Sequence, residues 1–87
     1  MYVKEATIVN QVGLHARPAT FLIQKANEFK CSLWIEKDER RVNAKSLLGV
    51  LSLGVAKGMT IKIIGDGADE QEAVDTLCSL IDSDFAE

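Results

Sequence analysis

A group of residues with chemical potential lies near the N-terminus, in the segment GLHARPAT at positions 13–20. It holds the only histidine and the only proline of the chain, His15 and Pro18, with Arg17 between them. A neutral imidazole can act as a nucleophile, and a guanidinium can bind two oxygens of a phosphoryl group at once. The segment therefore favours phosphoryl chemistry. The alternative is that His15 is an ordinary helix cap and Arg17 a solvated surface charge.

An amphipathic helix must position these residues. Apolar residues recur at intervals of three and four after the segment, which predicts a helix that starts near Ala16. These residues are Ala19, Leu22, Ile23, Ala26 and Phe29. The first N–H groups of a helix are unpaired and its dipole is positive there, so His15 would lie where an anion is favoured. Pro18 fits the first turn, because a proline there removes an N–H group that has no helical partner.

The other elements follow from hydrophobic periodicity and turn residues. Four strands are predicted, at residues 2–9, 31–37, 41–43 and 60–65, with a hairpin turn through KDER. Two further helices are predicted, at residues 47–53 and 70–83, the first capped by Ser46 and ended by Gly54. Asp69 and Glu72 resemble a capping box for the last helix. The order βαββαβα predicts one α+β domain over residues 1–87, with a four-stranded, mostly antiparallel sheet and three helices on one face. A ferredoxin-like fold is the structural alternative.

The short second helix carries more apolar residues than one core can cover. At about 100° per residue they spread around most of its circumference. If Val50 and Leu53 face inward, then Leu47, Leu48 and Leu51 form an exposed apolar patch, which is typical of a docking surface.

Charge is distributed unevenly along the chain. Residues 1–62 carry all ten Lys and Arg against five acidic residues, whereas residues 63–87 carry eight acidic residues and no basic one. The resulting net charge of −3 argues against general binding of nucleic acid. The excess of +5 in residues 1–62 indicates acidic partners.

Targeting and metal-binding signals are weak. No run of 18 apolar residues occurs, and Lys4 and Glu5 interrupt the segment where a signal peptide would be apolar, so a cytoplasmic protein is expected. Cys31 and Cys78 stand 47 residues apart beside a single histidine, which favours buried reduced thiols over a zinc site or a disulfide framework.

Two segments together point to a known family. GLHARPAT and NAKSLLGVLSLGVAKG, at residues 43–58, closely resemble the motifs of HPr, the histidine-containing phosphocarrier family of the bacterial phosphotransferase system. GADEQEA, at residues 67–73, resembles the start of the family's last helix. The resemblance spans nearly the whole chain and implies an open-faced β-sandwich. It also implies that His15 accepts a phosphoryl group at Nδ1 from enzyme I, itself charged by phosphoenolpyruvate, and passes it to the A domains of sugar-specific enzymes II. By the same resemblance Arg17 would stabilise the phosphoryl group and Pro18 the geometry of the site, with no cofactor and no metal.

The resemblance also implies a second phosphorylation. Members of the Firmicutes type carry a regulatory serine that an ATP-dependent kinase modifies, and Ser46 in AKSLLGV matches it. Leu47, Leu48, Leu51 and Thr20 would then contact partners. Those partners would include HPr kinase/phosphorylase and a catabolite control transcription factor where present, but no membrane, and the chain would be a monomer. Ser46 can equally be a helix cap alone.

Departures from the family pattern leave alternatives open. Glu39 stands in the hairpin where many members have glycine, and Leu48 and Leu51 replace the frequent methionine or phenylalanine. The chain could be mainly a regulator that acts through phosphorylated Ser46, a carrier of the paralogous nitrogen branch, or a binding module without phosphate chemistry. His15 argues against the purely regulatory relatives, which replace this histidine.

Overall fold

The computed structural model describes residues 1–85 and has the predicted order of elements. The elements are β1 (Tyr2–Thr7), α1 (Ala16–Ala26), β2 (Ser32–Lys37), β3 (Arg40–Asn43), α2 (Leu47–Ser52), β4 (Thr60–Asp66) and α3 (Glu70–Asp82). β1 ends two residues earlier than predicted, and β3 begins one residue earlier. The helix starts at Ala16, Leu47 and Glu70 are as predicted, so the capping and periodicity signals located them correctly.

The sheet has the strand order β1-β4-β2-β3, and all three pairings are antiparallel. A ferredoxin-like sheet has its first strand inside the sheet, whereas β1 here forms an edge. The ferredoxin-like alternative is therefore wrong, and the α+β open-faced sandwich is confirmed. The long connections 8–15 and 44–59 leave the sheet on the helical side and carry the segments singled out in the sequence.

A single hydrophobic core lies between the sheet and the helices. Alternate residues of β4, Ile61 and Ile63, are at most 1% exposed and belong to the same buried cluster as Leu22 of α1, Val50 of α2 and Leu77 of α3. Burying such side chains contributes about 1.5–3 kcal/mol each, so the three helices are held on one face of the sheet by this core.

The start of α3 differs from the sequence prediction. Asp69 makes no side-chain bond to its own helix; instead its carboxylate accepts hydrogen bonds from the backbone N–H groups of Lys30 and Cys31, both at 2.9 Å. The predicted Asp69–Glu72 capping box is therefore wrong. The bond from the Lys30 N–H is the main reason that the pKa of Asp69 is lowered. Asp69 therefore joins the start of α3 to the loop that precedes β2, and does not cap its own helix.

The β2–β3 hairpin closes with a two-residue turn at Asp38 and Glu39. Both residues have positive φ, 50° and 68°, as a type I′ turn requires. Glycine is favoured at the second of these positions. Glu39, which has a side chain, therefore has a strained backbone conformation there.

Candidate functional site

His15 is the N-cap residue of α1. Its backbone is extended, with φ −77° and ψ −178°, and its carbonyl oxygen accepts the Ala19 N–H at 2.9 Å. Its side chain is exposed and makes no capping hydrogen bond. The predicted helix start is confirmed, but the imidazole does not cap the helix. The fold uses the backbone of His15 and leaves its ring available for chemistry.

The loop before His15 is fixed against the segment after α2. Gly13 has φ 66°, and a Cβ there would collide with the carbonyl oxygen of Val55 and approach the Cα of Ala56 to 2.8 Å. The same Val55 oxygen accepts the Leu14 N–H at 2.9 Å. Inside the loop, Asn10 Nδ2 donates to the Gly13 carbonyl at 2.8 Å. Only glycine permits this close approach, so the position of His15 depends on it.

Arg17 and its neighbours occupy the first turn of α1. Arg17 is exposed, and within residues 1–85 its guanidinium makes no hydrogen bond or ion pair. It lines a cleft of about 280 Å³, whose other lining residues are Asn10, Val12, Pro18, Phe21, Asp84 and Phe85. Thr20 is also exposed, and its hydroxyl donates to the Ala16 carbonyl at 2.7 Å. Asp84 lines the same cleft but forms no ion pair with Arg17, so among the described residues this cation at a helix N-terminus is suited to an incoming anion.

A second cleft joins the two sequence motifs. It measures about 320 Å³, and His15 shares it with Leu51. The complete lining is Leu14, His15, Ala16, Leu51, Gly54, Val55 and Ala56. The structure therefore brings the end of the second motif to the histidine of the first.

The apolar patch of α2 is confirmed in part. Val50 and Leu53 are buried, which meets the condition on which the patch was predicted, while Leu47 is 41% and Leu48 81% exposed. Leu51 is only half-buried rather than fully exposed, because it packs against the core beside the His15 cleft. Leu47 and Leu48 form an exposed apolar surface at the start of α2, beside Ser46 and outside the lining of the His15 cleft.

Ser46 is the N-cap residue of α2, as predicted. Its hydroxyl oxygen accepts the Gly49 N–H at 3.2 Å, and its carbonyl oxygen accepts the Val50 N–H at 3.0 Å. It does not line the His15 cleft. At 1.5 Å per residue, Ser46 lies about 8 Å from Leu51 along the helix axis. Ser46 and His15 therefore contact opposite ends of one short helix.

Sequence reasoning missed two residues that hold the end of α2. Lys37 Nζ donates to the Leu53 carbonyl at 3.0 Å, and Arg40 donates to the Ser52 carbonyl at 3.1 Å. Positive charge at a helix C-terminus is stabilising. Both residues flank the hairpin turn, and only the folding of the hairpin against α2 reveals their role. They fix the segment that continues into the cleft wall at Gly54.

Other kinds of site find little support among residues 1–85. No group of three His, Cys, Asp or Glu side chains in this range could hold a metal ion. Cys31 and Cys78 are buried free thiols, and burial raises the pKa of Cys31 to about 11. No helix in the described part is long and apolar enough to cross a membrane.

Comparison with known proteins agrees with this geometry. The family model described as the PTS HPr component phosphorylation site matches residues 2–83. HPr-like protein Crh of Halalkalibacterium halodurans is 43% identical over 84 residues, which is 97% of this chain and 100% of that protein. Phosphocarrier protein HPr of Neisseria meningitidis is 45% identical over 80 residues, 92% of this chain and 90% of that protein.

Solved structures give the same result. HPr-C-His from Thermoanaerobacter tengcongensis superposes with a TM-score of 0.96 at 46% identity, covering 100% of this chain and 98% of that one. A dimer of HPr from the same organism gives a TM-score of 0.79 at 49% identity, with 92% of each chain covered. The predicted monomer therefore remains a prediction.

The fold and the exposed histidine at a helix N-terminus define a small phosphocarrier domain of the bacterial phosphotransferase system. The chain belongs to the HPr family.

Proposed function

We propose that this chain carries a phosphoryl group on His15, which it accepts from phosphorylated enzyme I and delivers to the A domains of sugar-specific enzymes II. The observation that carries the proposal is the exposed His15 ring at the start of α1, which makes no hydrogen bond within residues 1–85. Arg17, two residues further on, has no protein partner in the same range. A reactive ring and an uncommitted cation are thus held at one helix N-terminus.

The transfer step follows from these groups. Nδ1 of His15 forms a bond to phosphorus while the bond between phosphorus and the donor breaks, and the electron pair of that bond stays with the donor. The Arg17 guanidinium and the N–H groups of the first turn balance the negative charge on the moving group. The reverse sequence delivers the group to the next acceptor. Pro18 removes one N–H from this turn and limits its flexibility.

Labelling with phosphoenolpyruvate and enzyme I tests the carrier role. The parent protein should acquire acid-labile phosphate, and His15→Ala should acquire none, because the chain has no other histidine. Circular dichroism should show the same fold for both, since the ring makes no contact that α1 needs. Arg41→Ala, an exposed arginine outside both clefts, is the control and should label like the parent. Acid-labile phosphate on His15→Ala would refute the assignment.

We further propose that phosphorylation of Ser46 regulates this transfer. A phosphate at the N-cap of α2 adds a charge of about −1.5 to −2 beside exposed Leu47 and Leu48. An acidic partner that docks on this surface would be repelled and would have to desolvate the phosphate. The helix itself tolerates the charge, because the N-terminal dipole favours an anion.

The similarity to HPr-like protein Crh favours a second candidate function, in which the chain is mainly a regulator through Ser46. Two assays separate the candidates: phosphoenolpyruvate with enzyme I for His15, and ATP with the serine kinase for Ser46. A carrier labels rapidly in the first assay, and a pure regulator labels only in the second. Labelling in both assays supports a carrier that is also regulated.

Substitutions at Ser46 separate charge from capping. Ser46→Asp should lower the rate of transfer from enzyme I to His15 at low protein concentration, with little change in Tm, because aspartate is also a good N-cap. Ser46→Asn is the matched control: it keeps the cap without the charge and should transfer like the parent. The penalty of Ser46→Asp should shrink as salt rises. An unchanged rate in the fully phosphorylated protein would leave Ser46 a helix cap only.

A further inference from the structure

A third cleft lies at the edge of the sheet, where β2 begins and β3 ends. It measures about 290 Å³ and shares no lining residue with the two clefts at the start of α1. Trp34 of β2 pairs with Asn43, the last residue of β3, so β3 does not cover the first two residues of β2. The lining consists of Lys30, Cys31, Ser32, Leu33, Trp34, Asn43 and Lys45. The cleft therefore lies along the uncovered edge of β2.

The Lys45 side chain bonds to the backbone at this uncovered edge. Its ammonium donates to the carbonyl oxygens of Phe29 and Cys31, at 2.7 and 2.9 Å. Both acceptors are neutral, and no carboxylate within residues 1–85 pairs with this ammonium. An ammonium has three N–H donors, so one is not used by these two bonds. The fold therefore holds a half-buried positive charge at the cleft without a counter-ion.

The other polar side chains of the cleft also offer donors. The side-chain oxygen of Asn43 accepts the Lys45 backbone N–H at 2.8 Å, which leaves the Nδ2 donor of the same amide without a partner within residues 1–85. The Lys30 ammonium and the Trp34 Nε1–H likewise make no hydrogen bond in this range, and none of the described residues that line the cleft is acidic. The Asp69 carboxylate, which accepts the Lys30 backbone N–H, is not part of the lining. Donors and two positive charges without a negative one suit an anion.

We propose that this cleft binds the phosphate group of a small phosphate monoester. A phosphate has three acceptor oxygens, which match two ammonium groups and an amide donor better than the two oxygens of a carboxylate do. The half-buried Trp34 ring provides an apolar wall for the organic part of the ligand. A volume of about 290 Å³ is small for a ligand site and accommodates a phosphate group with a small ring system. The cleft is separate from His15, to which the phosphoryl group is transferred.

Titration followed by proton–nitrogen NMR spectra tests the binding and locates it. The probes are ribose 5-phosphate and adenosine 5′-monophosphate, each up to about 10 mM, because a small open cleft predicts a Kd of about 1 mM. Saturable shifts are expected at the amides of residues 30–34 and 43–45. The indole N–H of Trp34, the only tryptophan, should shift with them. A lower Kd for the nucleotide would place its base on the Trp34 wall, and equal values would place the sugar there; either result supports the phosphate site.

Three results of this titration would overturn the inference. The first is the absence of saturable shifts with both probes. The second is a set of shifts confined to residues 15–18, because phosphate would then bind only at the start of α1. The third is equal binding of adenosine, which lacks the phosphate group and should cause no saturable shift at residues 30–34 and 43–45.

Lysine substitutions test which groups bind the phosphate. Lys45→Met should raise the Kd at least about 10-fold, because a charge-assisted hydrogen bond is lost. Lys30→Gln should raise it about 3-fold, and its side chain makes no hydrogen bond or ion pair within residues 1–85 on which the fold could depend. Lys57→Gln is the matched control: it removes the same charge from an exposed lysine outside the cleft and should bind like the parent.

The comparison of Lys30→Gln with Lys57→Gln decides the matter even if Lys45→Met does not fold, since neither of these exposed side chains holds the structure. A Kd raised by Lys30→Gln alone supports the cleft. Equal effects of the two substitutions would contradict it, because net charge and not the cleft would then attract the phosphate.

Discussion

At the scale of single residues, some residues of the site hold the loop and the helix in place, whereas the side chains of others are exposed to solvent. Gly13 and Asn10 fix the loop, through the close approach to Val55 and the bond to the Gly13 carbonyl. His15 and Arg17 contribute their backbones to α1, and their side chains make no hydrogen bond to any residue in the range 1–85. Substitutions of these two side chains should therefore change chemistry without changing stability.

Arg17→Ala should slow phosphoryl transfer in both directions by about 10- to 100-fold, because a charge-assisted hydrogen bond to a phosphoryl oxygen is lost. Arg17→Lys restores the charge but not the two-pronged geometry, so it should recover only part of the rate. Stopped-flow transfer from enzyme I, and to an enzyme II A domain, measures both directions. If the lysine variant matches the parent, positive charge alone accounts for the role of Arg17.

At the scale of elements, α2 is held at its two ends by different parts of the chain. Ser46 caps its start, and Lys37 and Arg40 bind the carbonyl groups at its end. Six residues are too few for an isolated helix to be stable in water. Its position next to His15 therefore depends on the cap, on buried Val50 and on the β2–β3 hairpin.

Glu39→Gly should stabilise the protein by about 0.5–1 kcal/mol. The left-handed conformation costs a non-glycine residue about 1–2 kcal/mol, and the greater freedom of glycine in the unfolded chain offsets part of this gain. Urea unfolding should show a higher midpoint with an unchanged m value. Asp38→Gly is the comparison and should gain less, because aspartate tolerates this conformation better. A lower midpoint for Glu39→Gly would show that its side chain makes a compensating contribution.

At the scale of the whole molecule, the acidic last third of the chain is attached to the basic remainder through three carboxylates of α3 and its N-cap. Asp69 binds the Lys30 and Cys31 N–H groups. Glu70 accepts the Gly67 N–H at 3.0 Å and pairs with the N-terminal amine of the chain at 3.2 Å. Asp75 accepts the Tyr2 hydroxyl at 3.0 Å and Lys4 at 3.2 Å.

These contacts make stability depend on acid. The pKa of each carboxyl is lowered, mainly by the Lys30 N–H for Asp69, by the Gly67 N–H for Glu70 and by the Tyr2 hydroxyl for Asp75. Because the folded pKa lies below the unfolded value of about 4, their stabilisation is complete above that value. It is lost as the pH falls through the lowered folded values.

Asp69→Asn should therefore lower the free energy of unfolding at about pH 7, and the difference from the parent should shrink below about pH 3. Urea unfolding at a series of pH values measures this. Asp66→Asn is the control, because the exposed Asp66 side chain makes no hydrogen bond within residues 1–85, and it should follow the parent throughout. A difference that persists undiminished at low pH would mean that the shape of Asp69, and not its charge, holds the loop.

The sequence by itself predicted the features that depend on neighbouring residues. These include the order of elements, the start of α1 directly after His15 and the Ser46 cap. Capping bonds and periodicities of two or 3.6 residues act within one or two turns, so they can be read along the chain. The strong motif around His15 also lies within one loop and one helical turn.

Only the tertiary structure decided the contacts between distant segments. Asp69 looked like a local cap but binds the loop before β2, and Leu51 looked exposed but packs beside His15. Lys37 and Arg40 gave no local signal for their bonds to the end of α2. The strand order, with β1 at an edge, likewise depends on how the helices cover the sheet. Such contacts join residues that are far apart in the chain. Which residues meet depends on which faces of the helices and strands pack into the same core, and a local sequence pattern does not contain this information.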